Sequence, residues 1–228
     1  MKATIAQRGA PEGVGWETTL RCNMRCRNCG SSAGSARCDE LSTADALDLC
    51  GQMIRMKIPR VILTGGETLL RRDWRVLLDA LLEGGTNVGL LTNGWTLTQK
   101  LLAELASYNN SQFYLSVSLD GVPEDHDRIR ALPGSFTRAF EGAQYLRDQG
   151  VPIAVITTVS HANIEGMEAL RERIFRELQP YCWQIQIANA FGRAAENDDC
   201  RVTPVEYART VCFVSESRRL SKGTKTTV

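Results

Sequence analysis

Cys22-Asn23-Met24-Arg25-Cys26-Arg27-Asn28-Cys29 places three cysteines within eight residues, spaced C-x3-C-x2-C. Three thiolates converging from one loop make a soft, anionic pocket that suits zinc or an iron–sulfur cluster. A structural zinc ion wants a fourth ligand close by. The next cysteine, Cys38, lies nine residues on, and no histidine precedes His126. The loop therefore offers three near ligands and an open fourth position, as a 4Fe–4S cluster with one free iron would require. A zinc knuckle and three unrelated thiols are the plainer alternatives.

The segments around this loop alternate in a regular way. Trp16-Glu17-Thr18-Thr19-Leu20-Arg21 reads as a strand running into Cys22. Ser42-Thr43-Ala44-Asp45 resembles a capping box, and the helix it opens puts Leu47, Cys50 and Ile54 on one face. Val61–Thr64 is an apolar strand halted by Gly65-Gly66, and Trp74, Leu77, Leu78, Leu81 and Leu82 then recur at helical spacing. The pattern repeats. Strands are expected at 88–92, 113–118, 153–159 and 183–187. Helices are expected after Thr98, Ser135, Asn163 and Thr203, the last with a capping box and proline at the first helical position. Six strand-then-helix units imply a parallel sheet covered by helices. A closed eight-unit barrel needs about 250 residues, so 228 residues carrying six units predict an α/β fold, a partial (β/α)6 TIM-like barrel. A single domain is expected over 1–228, with its core at about 14–215. The last stretch, Ser221–Val228, reads as the start of a further strand, as in a truncated chain.

Composition narrows the function classes. With 23% charged and 43% hydrophobic residues and a formal charge of +1, no global field favours nucleic acid or an anionic membrane surface. Apolar runs are too short to span a bilayer. Met1–Arg8 lacks the apolar centre of a signal peptide. Eight cysteines without a secretory signal point to metal ligands and buried thiols in a reducing, cytoplasmic setting. Cys50 and Cys182 are expected in the core, and Cys38, Cys200 and Cys212 make no second cluster motif.

In parallel β/α folds, ligands gather at the C-terminal ends of the strands. The first expected strand ends at the cysteine loop, the second at Gly65-Gly66-Glu67, the third at Thr92-Asn93-Gly94 and the fourth at Ser118-Leu119-Asp120-Gly121. Any one of these tripeptides is an ordinary turn. Their succession after a cysteine loop marks a site.

Together these motifs resemble the radical S-adenosylmethionine (SAM) superfamily. Asp125-His126-Asp127-Arg128-Ile129-Arg130 further resembles its peptide-modifying branch, whose members often carry a SPASM or twitch extension. The resemblance covers roughly residues 14–215. It implies that Cys22, Cys26 and Cys29 hold one 4Fe–4S cluster and that SAM chelates the fourth iron. Reductive cleavage of SAM would yield a 5′-deoxyadenosyl radical that takes hydrogen from a substrate, plausibly a peptide. It further implies cofactor contacts at Gly65, Gly66, Glu67, Asn93, Ser118 and Arg130, and a weaker one at Ile187. Gly65 and Gly66 would approach the methionyl part of SAM, Glu67 its amino group, Ser118 the ribose and Arg130 the carboxylate, with Arg128 as Arg130's competitor. Thr68 stands where the family has proline, and Asn28 where many relatives have an aromatic residue or histidine beside the adenine. His126 reads as a loop or helix-start residue, and no catalytic side chain is singled out. A flavodoxin or ferredoxin reductant, no nucleic acid or membrane partner and a monomer are expected, with no complete auxiliary-cluster domain in the chain. An iron–sulfur protein for electron transfer or sensing, without SAM cleavage, is the alternative.

Overall fold

A computed structural model describes residues 11–108 and 111–228. The stretch Met1–Arg8, read above for a signal peptide, lies outside them. Among the described residues six strands form one sheet: β1 (Val14–Thr19), β2 (Arg60–Gly65), β3 (Asn87–Thr92), β4 (Phe113–Ser118), β5 (Ile153–Val159) and β6 (Cys182–Ile187). Neighbours pair in parallel, in sequence order from β1 to β6. The parallel six-stranded α/β sheet expected as a partial (β/α)6 barrel is observed, open between β1 and β6 among the described residues.

The helices are α1 (Thr43–Arg55), α2 (Trp74–Glu83), α3 (Gln99–Ala106), α4 (Pro123–Arg130), α5 (Ser135–Asp148), α6 (Met167–Arg173) and α7 (Pro204–Ser221). Ser42 and Thr98 cap α1 and α3, each side chain accepting a backbone N–H. Thr203 and Glu206 complete the capping box of α7. Two expected starts differ. Gly134, in the left-handed region, precedes α5, and the Ser135 hydroxyl instead donates to Asp127. After Asn163 the chain makes a 3-10 turn before α6, which continues as a π-helix over Ile174–Leu178. No described helix is long and apolar enough to cross a membrane.

Side chains alternate across each strand. Val61 and Leu63, Val88 and Leu90, Leu115 and Val117, Val155, and Trp183 point to the helices and are fully buried. They form one core with Leu77, Leu78 and Leu81 of α2 and Ala143 and Leu146 of α5. The opposite, inner face carries Ile62, Thr64, Leu91, Ser116, Ser118, Ala154, Thr158, Gln184 and Gln186, which line cavities. A barrel interior filled by bulky branched layers would be a packed core. Here the inner face is a mixture of small, polar and apolar residues that leaves a cleft.

Three expectations are corrected. Ser221–Val228 adds no strand: α7 runs to Ser221, and the tail contributes one parallel bridge, Cys182 to Thr227. Cys182 sits on the inner face at the foot of β6, half-buried, and lies outside the helix-side core. On α1 the buried face is Ala46, Cys50 and Met53, with Leu47 and Ile54 only partly covered.

Candidate active site at the strand ends

The site begins with a bulge. Glu17 pairs with Thr64, but Thr19 rather than Thr18 pairs with Gly65, so β1 carries one extra residue and bends as it enters the cysteine loop. Gly65 and Gly66 make room for that bend. A Cβ on Gly65, whose φ is +150°, would stand 2.2 Å from the Thr19 carbonyl oxygen, and one on Gly66 would stand 2.5 Å from that of Arg21. The two glycines thus serve close backbone approach between β2 and β1, apart from any approach to a ligand.

The cysteine loop is anchored from several sides. Cys22 N–H donates to Gly34 O and Gly34 N–H to Leu20 O, both at 2.9 Å. Glu40 accepts from Leu20 N–H at 2.8 Å, from Arg37 N–H at 3.1 Å and from the Thr19 hydroxyl, and these donors hold its carboxyl below the ordinary range despite some burial. Arg27 N–H donates to Ile129 O at the end of α4. Arg193, far along the chain, donates from Nε to Cys26 O and from Nη1 to Ala33 O, each at 2.9 Å. Burial pushes the Cys22 and Cys26 thiols up, so as free groups they hold their protons at neutral pH and a metal must displace them.

Cys22, Cys26 and Cys29 line one cavity together with Gly65, Gly66, Asn93, Ser118 and Arg130. Glu67 and Ile187 are not part of its wall. Glu67 is buried behind it: Oε1 accepts from the Thr92 hydroxyl at 2.8 Å and Leu69 N–H at 3.2 Å, and Oε2 from Asn93 N–H at 2.7 Å. Burial raises its carboxyl to about 7 against these donors. Its role in this geometry is to hold the turn that presents Asn93, whose side-chain amide reaches Asn23 Oδ1 at 2.8 Å and lies 3.8 Å from Cys22 Sγ. Ile187 lies elsewhere. It shares the helix-facing side with Trp183 and Ile185 and lines a groove under α7. Its neighbour Gln186, one residue away and on the opposite face, lines the cysteine cavity.

Asp120 holds the far wall. It is fully buried just past β4. Oδ1 accepts from Thr158 N–H at 2.9 Å, while Oδ2 accepts from the Asn28 amide at 3.0 Å and pairs with Arg130 at 2.7 Å. Arg130 in turn places Nη1 3.9 Å from Cys26 Sγ. Its guanidinium is stabilised in the charged form by Asp120 and Cys26 against the opposing effect of burial. Arg128 is not a competitor: it lies at the surface, pairing with Asp125 and donating to Ala162 O. Asn28 meets Asp120 at the expected adenine position. Asn163 is a structural pin, donating to the Asp120 and Thr158 carbonyls and accepting from Ser160 N–H. His126 lies inside α4, wholly buried, and its Nδ1 accepts the Asp120 N–H at 3.0 Å. Burial drives its pKa down to about 4, so it serves as a neutral acceptor.

Sequence reasoning passed over Asp120, Gln186, Arg193 and Glu40. Gln186 was accessible from the period-two pattern of β6 once Trp183 is placed outward. Each of the other three also binds residues 20 or more positions away, up to 167 for Arg193, and no local pattern marks those contacts.

The donor set suits a cluster better than a single ion. Among the described residues no group of three His, Cys, Asp or Glu stands close enough to hold one metal ion. Cluster ligands each take a different iron and can stand farther apart. No fourth cysteine and no histidine lines the cavity; its remaining wall consists of Asn, Ser, Thr, Gln and Arg donors beside small and apolar residues.

Comparisons with known proteins give the family. The chain is 34% identical over 220 residues to an AdoMet-dependent heme synthase of Methanosarcina barkeri, covering 96% of this chain and 62% of that protein. It is 32% identical over 161 residues to the mycofactocin maturase MftC of Mycolicibacterium smegmatis, 70% of this chain and 40% of that one. The chain thus spans about half the length of these relatives. The fold matches Streptococcus suis SuiB, solved bound to S-adenosylmethionine, with a TM-score of 0.80 at 14% identity over 96% of this chain and 50% of SuiB. The profile of the Radical SAM superfamily matches residues 16–174. With its cysteine loop set at the head of a six-stranded parallel sheet, the chain belongs to the radical SAM superfamily.

Proposed function

We propose that this chain is the core of a radical SAM enzyme that holds one 4Fe–4S cluster through Cys22, Cys26 and Cys29 and binds SAM along the strand ends. The observation that carries this is a cavity with three thiols on one side and only uncharged donors and arginines opposite. Three thiolates leave a coordination position open, and the opposite wall can hydrogen-bond a polar ligand that fills it. When bound, the cluster and SAM supply a 5′-deoxyadenosyl radical that abstracts hydrogen from a substrate. The chain's own residues bind and orient. Arg130, fixed by Asp120, sets a cation beside Cys26 and within reach of a ligand carboxylate. Asn93, steadied by Glu67, presents its amide beside Cys22. Ser118, Thr158 and Gln186 give the inner face hydroxyl and amide groups suited to a ribose and a base.

For the substrate we favour a carboxylate-bearing tetrapyrrole, supported by likeness to the heme synthase over nearly the whole chain. A peptide is the second reading, favoured by likeness to a maturase over 70% of the chain. A flavodoxin- or ferredoxin-type protein would deliver the electron, in the cytoplasm. The test is anaerobic reconstitution followed by incubation with SAM and dithionite. Formation of 5′-deoxyadenosine supports the reading. Iron and sulfide without SAM cleavage would favour an electron-transfer or sensing protein, and zinc without iron a structural site.

A further inference from the structure

The inner face of the sheet continues below the cysteine cavity into a second cavity at the feet of the strands. Its volume is about 620 Å3, within the range of small-molecule sites. Ile156 of β5 lines both. Arg60 lies four residues before Thr64 on β2, placing it about 13 Å below the upper cavity at about 3.3 Å per residue.

One exposed cation lines the lower cavity. Arg60 is the only charged side chain lining it among the described residues, and it forms no ion pair among them. Beside it stand Tyr114 and Tyr181, whose rings meet edge to face at 5.5 Å and whose hydroxyls hydrogen-bond each other. The Tyr114 ring lies across β3, where a Cβ on Gly89 would come within 2.3 Å of it, so that ring position requires the glycine. Burial raises both phenols, while the Arg60 charge acts on both tyrosines and on Cys182. Both phenols therefore keep their protons at neutral pH, with Tyr181 donating to Tyr114 and the Tyr114 proton left free. One guanidinium beside the Tyr114 hydroxyl, whose own proton is left free because Tyr181 donates to its oxygen, uncompensated by any carboxylate lining this cavity among the described residues, is the complement of an anionic oxygen group.

We propose that Arg60, with Tyr114 and Tyr181, forms an anchoring subsite for a carboxylate of the substrate, seating a propionate-type arm of a tetrapyrrole whose reacting end reaches the strand-end cavity. This rests on the radical SAM reading above and adds to it the part of the substrate that is held and the residues that hold it. Arg60 is a binding residue here and takes no part in the bond-breaking step.

The experiment uses the anaerobically reconstituted chain with SAM present and two probes, coproporphyrin III and its tetramethyl ester. Binding is read from porphyrin absorbance and quenching of protein fluorescence. The free acid should bind at least about tenfold more tightly than the ester, the scale of one charge-assisted hydrogen-bonded contact. Arg60→Gln should remove that preference, Arg60→Lys should retain part of it, and Tyr181→Phe should weaken the acid a fewfold, with circular dichroism and melting unchanged. Equal binding of acid and ester by the wild-type chain, or wild-type acid binding by Arg60→Gln, would overturn the subsite. A peptide bearing a free C-terminal carboxylate that binds through Arg60 while coproporphyrin III does not would overturn the tetrapyrrole assignment. Formation of 5′-deoxyadenosine by the wild-type chain without porphyrin is measured in parallel. Its failure counts against the radical SAM reading, and loss of the acid preference alone counts against this one.

Discussion

Replacing Asp120 with alanine tests whether the wall facing the cysteines is held as described. The carboxylate is fully buried, and its Arg130 partner is only 13% exposed. Alanine would strand that guanidinium and remove the acceptor for Thr158 N–H and the Asn28 amide. Leaving one member of a buried pair alone costs about 3–5 kcal/mol. At this chain length about 2–4 °C of melting temperature follows each kcal/mol, so the midpoint should fall by on the order of 10 °C. Arg130→Met should also destabilise, because it leaves the carboxylate unpaired. The combined Asp120→Ala/Arg130→Met variant should lose clearly less than the sum, since two groups that cost most when separated are removed together. Urea unfolding of the four proteins, followed by tryptophan fluorescence, gives the cycle. Additivity within about 0.5 kcal/mol, or a single Asp120→Ala cost below about 1 kcal/mol, would refute the wired wall.

Further outcomes are expected elsewhere. Cys26→Ala should abolish iron and sulfide uptake on anaerobic reconstitution, whereas Cys50→Ala, in the buried face of α1, should take up both; full iron in the Cys26 variant would remove it as a ligand. His126 is held neutral with a pKa near 4, below the unfolded value of about 6.5, so its contribution is complete above pH 6.5 and is lost as pH falls towards 4. At about 1.4 kcal/mol per pH unit, that loss should reach roughly 2 kcal/mol by pH 5 and be absent in His126→Asn, as urea melts at pH 7.5 and 5 would reveal. Thr203→Ala removes the capping hydroxyl of α7 and should cost about 1 kcal/mol in thermal unfolding without altering iron content.

The architecture was legible because its signals are local. Apolar runs at 61–64 and 113–118, helical spacing after Trp74 and the caps Ser42, Thr98 and Thr203 each lie within a few residues of what they determine. The cysteine spacing was equally local. Side-chain direction was less legible around Ile187, where one step in a period-two strand exchanges the cavity for the helix face. Glu67 looked like a ligand contact because a carboxylate after two glycines stands out in one dimension. In three dimensions its oxygens also accept from Thr92, Asn93 and Leu69, a second role that the sequence does not mark. Asp120 looked like a turn former, and only the meeting of α4, β5 and the cysteine loop reveals it as the common acceptor. Ser135 failed as a cap because Asp127, eight residues earlier, competes for its hydroxyl.

The sequential order of the six strands also has a consequence for assembly during synthesis. Each strand pairs with the one made just before it, so every new unit adds to an existing edge and no later strand must be threaded between earlier ones. Contacts of moderate sequence separation let such a sheet grow as the chain leaves the ribosome, at about 5–20 residues per second. The cysteine loop is made first, yet its tie from Arg193 to the carbonyls of Cys26 and Ala33 spans 167 and 160 residues. Until the polypeptide reaches that arginine, the loop is attached to β1 but lacks its outer clasp. A nascent chain would thus hold its three thiols in a looser setting than the finished protein does.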